Sequence, residues 1–91
     1  MVLCFTGAIP DSALPADCTK YILPDYIGHK IGLQPAEIEP ERFAIVEAEA
    51  LRDLIVSSEI AGTDIAVQLG PQTLLNPECA RLVQRHCKLC Q

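Results

Sequence analysis

The chain has no tryptophan, one methionine and only four aromatic side chains, Phe5, Tyr21, Tyr26 and Phe43. So few aromatic faces leave no platform on which successive bases could stack. Clustered cations are equally scarce: Arg81, Arg85 and Lys88 stand together near the end of a chain whose formal net charge is −5. That balance argues against a nucleic-acid partner. No run approaches the ~18 consecutive apolar residues of a membrane span. The apolar opening from Met1 to Phe5 has no basic segment before it and is cut by Gly7 and Pro10, so it does not read as a signal peptide. The chain is therefore expected to be soluble and cytoplasmic, with no membrane partner. There is no G-x-G-x-x-G, no P-loop, no nucleophile elbow and no alternating oxygen series of a calcium loop. Phosphate cradling and serine or cysteine hydrolase chemistry thus have no motif behind them.

What remains is a short, fairly apolar, acidic chain. Its 91 residues set one domain as the upper bound. A hydrophobic content of 49% excludes an acidic disordered tail. By mass scaling about 9,000 Å² leaves water on folding, enough for a thin core. Five cysteines, Cys4, Cys18, Cys79, Cys87 and Cys90, are many for this length. Their number is odd and no export signal accompanies them, which speaks against a complete disulfide framework.

Three segments differ in punctuation and charge. In residues 1 to 34, Pro10, Pro15 and Pro24 with Gly7, Gly28 and Gly32 interrupt every apolar run, which predicts loops and short strands, at Val2 to Phe5 and Lys20 to Leu23. Residues 35 to 75 hold eight acids against Arg42 and Arg52. There Pro40 suits a first helical turn, Gly62 a C-terminal cap, and Phe43, Val46, Ala50, Leu54 and Ile55 form an apolar stripe. A helix over 40 to 60 is predicted, with Glu49 and Asp53 on its solvent side. Beyond Gly62, alternation of Ile65, Val67 and Leu69 predicts a strand over 64 to 69. Asn76, Pro77 and Glu78 then make a cap, a first-position proline and a first-turn acid, predicting a helix from 77 to about 88.

The densest chemistry is the tail Cys79-x6-His86-Cys87-x2-Cys90. Thiolates and imidazole are zinc's preferred ligands, so Cys79, His86, Cys87 and Cys90 are the candidate metal set, with zinc the one cofactor considered. If the helix runs to 88, however, Cys79, Leu82, Val83, Cys87 and Cys90 share one face, and one face cannot surround a tetrahedral ion. Cysteines packed as small hydrophobes are the plainer reading. A redox role wants its thiol at a helix N-terminus, whereas this pair sits at the other end. The remaining acids, Glu47 among them, read as a solvated face, and His29 as an exposed loop residue. Tyr21 and Tyr26 flank Pro24-Asp25 and are candidate anchors for a protein partner, with Glu49 and Asp53 as accompanying partner-binding acids. No catalytic residue is assigned.

The expected architecture is α+β, a small single domain with two amphipathic helices on a sheet of two to four strands. The expected function is a non-enzymatic binding, adaptor or regulatory module acting through its surface on a protein partner and forming a homo-oligomer, a dimer in which the uncharged edge of Ile65 to Leu69 is open to pairing with a second copy. The alternatives are a zinc-binding or thiol-redox module using the C-terminal cysteines, and a small enzyme whose site forms between protomers.

Overall fold

The computed structural model of the chain describes residues 1–10, 12, 14, 17–32 and 35–90; Pro15 lies outside the described residues. In chain order the elements are β1 (Val2–Phe5), β2 (Thr19–Ile22), α1 (Leu23–Ile31), a 3-10 turn at Pro35–Glu37, α2 (Pro40–Ala61), β3 (Ile65–Gln68), a 3-10 turn at Thr73–Leu75, α3 (Pro77–His86) and β4 (Cys87–Cys90). The Cα radius of gyration is 12.4 Å, against about 12 Å for a compact chain of this length. The architecture is small α+β, helices packed on a sheet, as the sequence predicts.

All pairings in the four-stranded sheet are parallel, in the order β2-β3-β1-β4. Parallel strands need crossovers: α1 and α2 carry the chain from β2 to its neighbour β3, and α3 carries it from β3 past β1 to β4. The registers Val2↔Ile65 and Cys4↔Val67 put these four side chains on one face, where they join Leu23 and Ile27 of α1, Ala50, Leu51 and Leu54 of α2, and Cys79 and Val83 of α3 in one core cluster. The helices therefore cover that face. β3 reads Ile-Ala-Val-Gln with Ile65, Ala66 and Val67 all buried, as a central parallel strand requires.

The helix predicted over 40 to 60 spans Pro40–Ala61, closed by Gly62 in the left-handed region at φ 67° with its N–H on the Ser58 carbonyl. The strand predicted over 64 to 69 is β3. Three expectations are corrected. Residues 1 to 34 contain a helix, α1, because Pro24 stands at its first turn rather than ending a strand: its fixed φ suits that position and its missing N–H has no helical partner to lose. Gly28 sits inside this helix and Gly32 caps it at φ 71°. The C-terminal helix stops at His86 instead of 88, and Cys87–Cys90 turns extended to pair with β1, Val2↔Cys87 through Phe5↔Cys90. Finally, 65 to 69 is no free edge for pairing with a second copy, since β3 lies between β2 and β1.

Candidate functional site

β2 is the outer strand beside β3, and the chain passes from it directly into α1. That junction brings Tyr21 and Tyr26 together: their rings meet edge to face, centroids 6.0 Å apart at 82°. Both rings are half-buried and pack against the core cluster with their remaining surface outward. They form part of the wall of a groove of about 710 Å³ whose lining also includes Lys20, Ile22, Asp25 and His29. Asp25 in the first turn of α1 and His29 in its last turn complement the helix dipole. His29 is thus a helical residue on the groove wall and not part of a loop. The groove combines an aromatic and aliphatic lining with an acid, a base and an imidazole.

Glu49 and Asp53 do not join this groove. Glu49 is exposed on α2, and Asp53 forms an ion pair with Lys30 of α1, so its charge serves the docking of α1 on α2.

The C-terminal cysteine and histidine set is dispersed by the strand that replaces the end of the predicted helix. Cys79 is fully buried at the α2–α3 contact, and His86 Nδ1 lies 3.7 Å from Glu59 Oε1. Cys87 points to the helix-covered face, beside Cys4 of the adjacent strand. The register places Cys90 on the opposite face, its thiol donating to the Lys88 carbonyl at 3.8 Å. Among the described residues no group of three or more His, Cys, Asp or Glu side chains could hold a metal ion. All five cysteines are free thiols. The Cys4–Cys87 contact pushes the Cys4 thiol above its ordinary range, helped by burial, and draws the Cys87 thiol below its own.

Glu47 is not on the solvated face that the sequence predicts for it: the residue is 3% exposed. Its Oε2 accepts a hydrogen bond from Thr73 Oγ1 at 3.0 Å, and its Oε1 accepts from Asn76 Nδ2 at 3.3 Å and from Cys79 Sγ at 3.8 Å. Thr73 Oγ1 in turn accepts from the Gly70 N–H at 2.7 Å, and Asn76 Nδ2 also reaches the Ala44 carbonyl at 2.8 Å. Burial first, then the Glu47 carboxylate, pushes the Cys79 thiol up to about 12. The missed signal was positional: Glu47 directly follows Val46 and precedes Ala50 and Leu51 by one turn, so it falls on the apolar stripe. No protein-family model, curated protein or solved structure matches the chain.

Proposed function

We propose that the protein is a non-enzymatic binding module that receives a segment of a partner protein in the groove beside β2 and α1. The observation carrying this reading is the Tyr21–Tyr26 pair on the wall of a groove of about 710 Å³. Tyrosines offer large contact area at low conformational cost, and two of them braced edge to face form a rigid seat for one inserted apolar side chain. Lys20, Asp25 and His29 supply polar groups that fix orientation. The five free thiols support a cytoplasmic site of action.

Self-association is part of the proposal. Ile45, Val56 and Ile60 stand 62%, 43% and 82% exposed on α2, and at 100° per residue they lie within about 60° of one another. A second copy laid along this side of α2 would remove them from water, which replaces the edge-strand route closed by the position of β3.

The groove is tested by selecting peptides from a displayed random library on the full chain. Selected peptides are expected to carry an aromatic or aliphatic anchor and to lose at least about tenfold in affinity against Tyr26→Ala, with Leu75→Ala, outside the groove, unchanged. Peptides that bind the wild type and a Tyr21→Ala/Tyr26→Ala variant equally well would overturn the reading.

A further inference from the structure

Two clefts of about 230 and 170 Å³ lie where the C-terminal end of β3, the first turns of α2 and the start of α3 converge. They share three lining residues, Phe43, Glu47 and Gln72. Among the described residues Glu47 is the one charged residue in either lining, and it is the buried carboxylate of the Thr73–Asn76–Cys79 network. We propose that these joined clefts bind a primary ammonium group on a short apolar stem, with Glu47 as its counter-charge and Phe43 as its wall.

The argument begins with charge. Every hydrogen-bond donor that reaches Glu47 is neutral, and among the described residues no Lys, Arg or His pairs with it. Neutral donors satisfy a buried carboxylate's geometry without cancelling its charge, and in a site of low dielectric an uncompensated charge attracts a cation strongly. A carboxylate offers about four acceptor positions, and the two longer of the three contacts present, at 3.3 and 3.8 Å, fall on Oε1. Oε2 therefore has a lone pair to spare beside its 3.0 Å bond to Thr73.

Helix ends point the same way once their chemistry is counted. The N-termini of α2 and α3 border the larger cleft through Pro40 and Pro77 and, as dipole ends, would by themselves favour an anion. Each begins with a proline that has no N–H to donate, and each already has an acid in its first turn, Glu41 and Glu78. An anion would meet these acids and Glu47 together. The apolar walls, Phe43 with Pro24 and Pro71 in the smaller cleft, suit a hydrocarbon stem, and an aromatic ring beside an ammonium adds a cation–π contribution. Clefts this small admit a handful of heavy atoms, so the class is a short alkylamine or the side chain of a lysine, which share this chemistry.

The experiment is an amide-resonance NMR titration of the full chain with four probes: n-butylammonium, N-acetyl-lysine methylamide, n-butanol and butyrate. Saturable shifts at Gly70, Gln72 and Phe43 are expected with an ammonium probe, with the alcohol at least about tenfold weaker and butyrate without effect. Saturation by butylammonium alone identifies a small-molecule amine; saturation by the lysine amide alone identifies a protein lysine; saturation by both leaves the ammonium recognition standing for either source. Glu47→Gln should weaken binding about tenfold while the spectrum stays dispersed. Because Glu47→Gln also alters a buried network, the exposed Gln72→Trp serves as an independent block that fills the shared space, and it should abolish saturation. No saturation by either ammonium probe, equal binding of butanol, or unchanged binding in Gln72→Trp would each overturn the proposal.

Discussion

Replacing Leu54 by alanine tests whether the face of α2 has been correctly assigned. Leu54 is 3% exposed and packs in the cluster that joins all three helices to β1 and β3. Truncation to alanine removes the branched end of the side chain, a transfer loss of about 2 kcal/mol at ~0.8 kcal/mol per methylene-sized group. The vacated space adds up to about 3 kcal/mol more, depending on how far α1 and α3 relax into it, giving a total of about 2–5 kcal/mol. A 91-residue chain at ~0.05–0.15 kcal/mol per residue has only about 5–14 kcal/mol to lose. The variant's Tm should therefore fall by roughly 10–25 °C, at about 5 °C per kcal/mol for a domain of this size. Two exposed charged neighbours on the same helix, distinct from Ile45, Val56 and Ile60, serve as references: Arg52 and Glu49 should each cost under about 0.5 kcal/mol when changed to alanine. Urea unfolding followed by far-UV circular dichroism measures all three. Equal losses at Leu54 and Glu49, or a larger loss at Glu49, would show that the helix face is wrong and with it the packing of α2 on the sheet.

Alkaline pH should destabilise the protein through Cys79. Its thiol is pushed from 9.0 to about 12 in the folded state, so the stability it carries is complete below pH 9 and is lost as pH rises from 9 through 12, at up to about 1.4 kcal/mol per pH unit. Urea midpoints measured across that window should fall less steeply in Cys79→Ala, and parallel slopes would refute the assignment. Sedimentation at micromolar concentration with reductant should show a dimer that persists in high salt, because its contact is apolar. Val56→Lys/Ile60→Lys should return it to monomer, while a wild-type monomer at both salts would leave only the groove for a different protein.

Local signals were sufficient for α2, β3 and the start of α3. In each case the chemistry lies within a few residues: Pro40 and Gly62 bracket one apolar stripe, Ile65, Val67 and Leu69 alternate after Gly62, and the Asn76 side chain accepts from the Glu78 N–H at 3.2 Å as its cap position implies. The small α+β class follows from those elements, and Tyr21 and Tyr26 stood out because aromatics are so scarce.

Tertiary structure decided the rest, wherever a residue's local preferences were balanced and a distant partner broke the tie. Cys87–Cys90 continues a helical pattern until the free side of β1, more than 80 positions earlier in the chain, offers a complete parallel ladder; no window along the sequence contains both strands. With that turn the four tail ligands separated, and Cys87 met Cys4 instead of Cys90. Pro24 is chemically able to end a strand or begin a helix, and the burial of Leu23 and Ile27 at 0% exposure selected the helix. Glu47 looked like one acid among eight because its donors, Thr73, Asn76 and Cys79, arrive from 26 to 32 residues away. Burial of a charge is a property of what folds over it, and only the packed chain brings those donors to the carboxylate.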